Sequence, residues 1–129
     1  QPYLDGASAH CWYSGVGSLD VHYSSGVANH FFYLLAEGTN PDPNSGLWSS
    51  FTCNATDTRM ATGTGSVTGI GRAAAEKIWY RALTVYMTSS TNYAGAKAAT
   101  IAAAVDLTAA LGNDYSGAVA AAWLAVNVK

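Results

Sequence analysis

Three stretches in the second half of this chain set apolar residues at helical spacing, and no stretch anywhere alternates as a half-buried strand would. From residue 72 to about 87, Ala74, Ile78, Ala82 and Val85 share one stripe that Leu83 and Tyr86 widen. Trp79 and Tyr80 on that helix are read as core. Glu76 is placed to meet Tyr80 or Arg72, and Arg72 and Arg81 are expected to pair with carboxylates such as Asp106. Asn92 is a suitable N-cap for a third helix over residues 93–111, which Gly112 ends. Its many alanines allow close helix approach, while Ile101, Val105 and Leu107 supply bulk. Residues 116 to about 126 follow with Val119, Trp123 and Val126 at i, i+4 and i+7. Upstream, Val27, Phe31, Leu34 and Leu35 mark another helix that Gly38 stops, with Ser24 or Ser25 as its N-cap. The expectation is one all-α domain over residues 1–129, of about four helices, with an irregular segment at 1–21 and a long loop at 39–67.

Composition narrows the function classes. Only 11% of the 129 residues are charged and half are apolar, which argues against disorder. The six Lys and Arg are scattered and the net charge is −2, so there is no electrostatic footprint for nucleic acid. No run approaches the roughly 20 apolar residues that span a bilayer, because Lys97, Thr100, Asp106 and Thr108 interrupt the alanine-rich stretch. Gln1-Pro2-Tyr3-Leu4-Asp5 has neither an initiator methionine nor a signal-peptide pattern, so the numbering is expected to begin at an internal position.

Reactive groups concentrate in Val16-Gly17-Ser18-Leu19-Asp20-Val21-His22-Tyr23-Ser24-Ser25-Gly26. A histidine held by a carboxylate such as Asp20 has one ring nitrogen occupied and the other free to act on a substrate. A histidine that only caps or fills a loop has the same local sequence. His10, beside Cys11, is read as a solvent-facing loop residue, because adjacent His and Cys side chains rarely point at one ion. Cys11 and Cys53 fit neither a C-x-x-C redox motif nor a zinc ribbon; they are either paired or two free buried thiols. Gly63-x-Gly65 and Gly69-x-Gly71 lack the lysine and the preceding strand of a phosphate loop, and the sequon Asn54-Ala55-Thr56 is discounted. The sequence contains neither H-E-x-x-H nor H-x-x-E-H, and His22 and His30 are too far apart on a helix to share one ion.

Four blocks in order resemble a known family. Val21-His22-x-x-Ser25-Gly26-x-x-Asn29-x-x-x-Tyr33-Leu34 looks like the segment bearing the second-half catalytic histidine of thermolysin-like zinc metalloendopeptidases. Gly69-Ile70-Gly71-Arg72 with Lys77-Ile78-Trp79-Tyr80-Arg81-Ala82-Leu83-Thr84 and Tyr86 resembles the next helix of that family. Lys97-Ala98-Ala99 with Asp106-Leu107, and the ending that runs to Val126-Asn127-Val128-Lys129, are similar to its last helices. The wording around Asp20 and the cysteine pair look most like the secreted actinobacterial branch.

The resemblance implies the C-terminal helical lobe of a secreted, extracellular enzyme that hydrolyses peptide bonds in proteins. It implies that His22 donates a hydrogen bond to the oxyanion of the tetrahedral intermediate. Zinc, and any calcium, would be bound by the missing N-terminal catalytic lobe, which would be this chain's partner together with a protein or peptide substrate. Neither nucleic acid nor membrane is expected as a partner, and the chain by itself is expected to be inactive. A secreted family also implies a Cys11–Cys53 disulfide, and makes the loop over 39–67 an insertion. The family's orienting aspartate stands five residues before the histidine, where this chain has Gly17, so a local gap is expected to bring Asp20 into that role. The rival readings are a stand-alone binding or inhibitory module and an autolytic fragment without activity of its own.

Overall fold

The computed structural model describes residues 5–129; Gln1-Pro2-Tyr3-Leu4, the start of the expected irregular segment, lie outside them. After a 3-10 turn at Val16–Ser18 come α1 (Val21–Ser24) and α2 (Gly26–Glu37). The long loop carries a 3-10 turn at Trp48–Ser50 and leads to α3 (Arg72–Arg81), which runs on as a π-helical turn at Ala82–Tyr86. Then follow α4 (Tyr93–Asp106), α5 (Thr108–Leu111) and α6 (Ser116–Ala125). The all-α expectation holds: among the described residues the only strand-like pairing is an isolated antiparallel bridge between Thr52 and Gly63.

The core forms where α2, α4 and α6 meet. Phe31 of α2 stacks on Trp123 of α6 with ring centroids 3.7 Å apart and planes 9° from parallel. Both side chains are fully buried, so the indole N–H needs a partner inside the protein. It donates to the Thr100 hydroxyl at 2.8 Å, and that hydroxyl donates back to the Ala96 carbonyl at 2.8 Å within α4. Ala96, Ala99, Ala103 and Ala104 form the rest of the buried face of α4, as its small residues suggested. The expected bulk lies elsewhere: Val105 is exposed, and Ile101 and Leu107 are half-buried at the margin.

Four local expectations are corrected. The helix over 72–87 is not uniform, because at its end the Met87 N–H reaches back five residues to the Ala82 carbonyl at 2.9 Å. Thr84 Oγ1 donates to the Tyr80 carbonyl at 2.9 Å, a back-bond that competes with the helical ladder. Ala75, Ile78 and Ala82 face the core at ordinary helical spacing, and beyond them, in the widened turn, Leu83, Val85 and Tyr86 are exposed. Tyr80 is 70% exposed instead of buried; Trp79 is half-buried against the core. The third expected helix breaks at Leu107, although its Asn92 cap is as expected, with Oδ1 accepting from the Gly95 N–H at 2.9 Å. Arg81 Nε pairs with Asp106 at 2.9 Å, whereas Arg72 pairs with Glu37 at 3.1 Å and not with Glu76 or Asp106.

The long loop is held at its return and in its middle. Its return passes over the end of α2, where Ile70 N–H and Gly71 N–H donate to the Leu35 and Ala36 carbonyls at 2.8 and 3.0 Å. These are the carbonyls that a helix C-terminus leaves unpaired. A Cβ on Gly69 would lie 2.6 Å from Glu37 backbone carbon, so only glycine permits this crossing. In its middle Cys53 is joined to Cys11 in a disulfide, and His10 N–H and Cys11 N–H both donate to the Thr58 carbonyl at 2.9 Å.

That tie buries His10, which is fully inaccessible and not solvent-facing; its ring lies 4.7 Å from the ring of His30. Burial, and the nearby His30, push its pKa down to about 3 from 6.5. Between those values the unfolded chain binds a proton that the native state refuses, so stability is full above the unfolded value and falls as the pH drops through the window. His30, also desolvated, is shifted in the same direction. The urea midpoint is accordingly expected to drop between about pH 7 and about pH 4.5, and His10→Gln should flatten that slope; a pH-independent midpoint would contradict it. Replacing Cys11 and Cys53 by serine, which frees a loop whose ends are 42 residues apart, should cost about 3 to 4 kcal/mol of stability by the same assay.

Candidate functional site

Asp20 starts α1. Its backbone is non-helical (φ −52°, ψ 143°), and its Oδ1 accepts from the His22 backbone N–H at 2.9 Å, which makes it the N-cap. Neither Ser24 nor Ser25 has that role: Ser25 sits in helical backbone, and no side-chain cap bond precedes α2. The expected approach to the first helix is thus itself a helical turn, with His22 as its second residue.

The same Oδ1 is 2.5 Å from His22 Nδ1. One carboxylate oxygen therefore fixes both the backbone and the ring of the same residue. The backbone N–H of His22 and then its ring hold the Asp20 carboxyl below its ordinary value. His22 is 84% exposed and Asp20 59%, so the pair contributes little to folding stability. Its consequence is geometric. With Nδ1–H donated to Asp20, a neutral ring presents Nε2 as a bare acceptor, and a protonated ring presents Nε2–H as a donor. No described residue takes Nε2.

The rest of the turn is fastened from behind. Ala9 N–H donates to the Tyr23 carbonyl at 3.1 Å, and the Tyr93 hydroxyl donates to the Ser24 carbonyl at 2.6 Å. Ala9 lies two residues before Cys11, so the disulfide also stabilises the seat of the histidine. A groove of about 1290 Å³ opens beside the turn, lined among others by Trp12, Tyr13, Val21, Ser24, Met87 and Tyr93. His22 and Asp20 are not among its lining residues. Tyr93 is the contributor that sequence reasoning missed. It follows the Asn92 cap and looks there like any aromatic at a helix start; nothing local shows that it reaches residue 24.

Metal donors converge in one other place among the described residues. Ligand atoms of Cys11, His30 and Cys53 lie within 4.8 Å of one another. Both sulfurs are consumed in the disulfide, and His30 turns Nδ1 and Nε2 toward the His10 and Phe51 carbonyls, each at 2.8 Å. This donor set does not fit a catalytic zinc, which needs free ligand atoms and an open coordination position.

Residues 1–128 match the family model described as thermolysin metallopeptidase, alpha-helical domain. The chain is 47% identical over 128 residues to the transglutaminase-activating metalloprotease of Streptomyces mobaraensis, covering 99% of this chain and 16% of that protein. It is 38% identical over 108 residues to neutral protease B of Bacillus subtilis (strain 168), which covers 84% of this chain and 16% of the relative. To the thermolysin of Bacillus caldolyticus it is 37% identical over 87 residues, 67% of this chain and 12% of the relative. The chain thus spans about a sixth or less of the length of these curated relatives.

The double use of Asp20 Oδ1 has a measurable consequence. Followed by carbon NMR, the Asp20 carboxyl should titrate below the ordinary aspartate range, and His22→Ala should raise its midpoint only part of the way, because the backbone bond, the larger cause, survives. A midpoint at the ordinary value in the unsubstituted protein would show that the pair does not form in solution.

Proposed function

Since this chain belongs to the thermolysin metallopeptidase family and forms its alpha-helical domain, we propose that it acts in a longer, secreted zinc metalloendopeptidase, to which it contributes His22 as a transition-state donor. The observation that supports this reading is the exposed His22 ring, held through Nδ1 by Asp20 with Nε2 left open. When a peptide carbonyl is attacked by water its oxygen becomes an oxyanion, and a donor fixed beforehand at that position costs no reorganisation as the charge develops. Protonated His22 is such a donor, and the Asp20 carboxylate compensates the imidazolium charge while it fixes the ring plane. A donor aimed at charge that exists only in the transition state raises kcat and leaves KM nearly unchanged.

The zinc, which polarises the carbonyl and activates the water, would be held by the part of the enzyme that carries H-E-x-x-H; none of the ligation falls to this chain. The N-terminal catalytic lobe is the partner, and protein or peptide is the substrate. By itself the 129-residue chain should bind no stoichiometric zinc after dialysis and should not hydrolyse casein; zinc-dependent cleavage by the isolated chain would refute this.

In the full-length enzyme, His22→Ala should lower kcat by about a hundred- to a thousandfold, a loss of about 3 to 4 kcal/mol, with KM and zinc content little changed. Asp20→Asn should reproduce part of that loss, since an amide neither compensates the imidazolium nor selects the same ring proton. A His22→Ala enzyme with near-normal kcat and full zinc would show His22 to be a surface histidine that only sits on its turn.

A further inference from the structure

Between α1 and α2 the helical ladder is interrupted. Ser25 keeps helical backbone angles (φ −62°, ψ −16°); its N–H donates to the Val21 carbonyl at 3.2 Å, its hydroxyl to the His22 carbonyl at 3.3 Å, and the Asn29 N–H donates to the Ser25 carbonyl at 3.1 Å. In an unbroken helix the Ala28 N–H would donate to the Ser24 carbonyl. Instead, the Tyr93 hydroxyl donates to that carbonyl at 2.6 Å and so occupies the acceptor that a continuing helix would use. A side chain placed in this way is one of the identifiable causes of a helix break.

Tyr93 is itself well anchored. It is the first residue of α4, directly after the Asn92 cap, and its ring packs 6.0 Å from the Trp123 ring at the centre of the core. Burial raises its pKa, which keeps the hydroxyl protonated and able to donate. Asp20 fixes one end of the four-residue turn that carries His22, and Tyr93 fixes the other.

We propose that Tyr93 is a positioning residue for the reaction: by bonding to the Ser24 carbonyl it ties the C-terminal end of α1 to the start of α4 and sets the direction in which that turn presents His22. This rests on the reading of His22 as the transition-state donor. Removing only the hydroxyl releases the Ser24 carbonyl from α4, so the turn loses that tie and His22 shifts with it. The freed carbonyl can bond to water or to a backbone N–H, and the fold loses little.

The test is Tyr93→Phe in the full-length enzyme, with His22→Ala measured in parallel. The expected result is a kcat about tenfold lower with KM within about twofold, a thermal midpoint nearly unchanged, and a crystal structure in which the α1 turn and His22 are displaced. Two results overturn the proposal: a turn that keeps its place without the hydroxyl, or a turn that moves while kcat remains normal. The parallel variant separates the two readings. A crippled His22→Ala enzyme beside a normal Tyr93→Phe one removes Tyr93 alone, whereas normal kcat in both removes the role of His22 as well.

Discussion

The stack of Phe31 on Trp123 is the contact on which the remaining structure depends. Two large rings at 3.7 Å bring α2 and α6 close together, and the buried indole N–H then requires an acceptor from a third element. Thr100 supplies it from the small-residue face of α4, so three helices are fixed by one aromatic pair and one hydroxyl. Phe31 sits on the helix whose N-terminal end carries the α1 turn. Tyr93, at the start of α4, packs toward the same tryptophan and reaches that turn. The bearing of His22 is therefore determined by the core, although the residue itself is in solvent.

The exposed pair shows why stability and function separate here. At 84% and 59% exposure, the His22 ring and Asp20 gain little from each other in water, and breaking that pairing alone should scarcely change the folding equilibrium. What the structure provides is orientation. It is supplied by groups that serve stability elsewhere: a helix cap, a backbone bond from Ala9 next to the Cys11–Cys53 bridge, and a core tyrosine.

Helix identity, the Asn92 cap, the small-residue face of α4 and the Val119–Trp123–Val126 stripe were legible in the sequence because each is a local or periodic property. The π-helical turn was not, since an apolar pattern of period 3.6 does not reveal that Thr84 back-bonds and the ladder slips, which leaves Val85 in solvent. His10 was misread because its burial comes from a loop more than forty residues away, folded over it by the disulfide and by the bonds to Thr58. Within the site, the proximity of Asp20 and His22 was legible from their spacing, but the oxygen that serves both the cap and the ring was not. Tyr93 was invisible for a different reason: its action depends on a tertiary contact across 69 positions of sequence.

The central claim is that the oriented His22 binds the transition state and not the substrate, and a tetrahedral inhibitor measures this most directly. In the full-length enzyme, a peptide phosphonate that mimics the tetrahedral intermediate should lose affinity in His22→Ala by the same factor by which kcat/KM falls, while a ground-state product peptide binds almost as before. Equal affinity of both enzymes for the phosphonate would contradict the account.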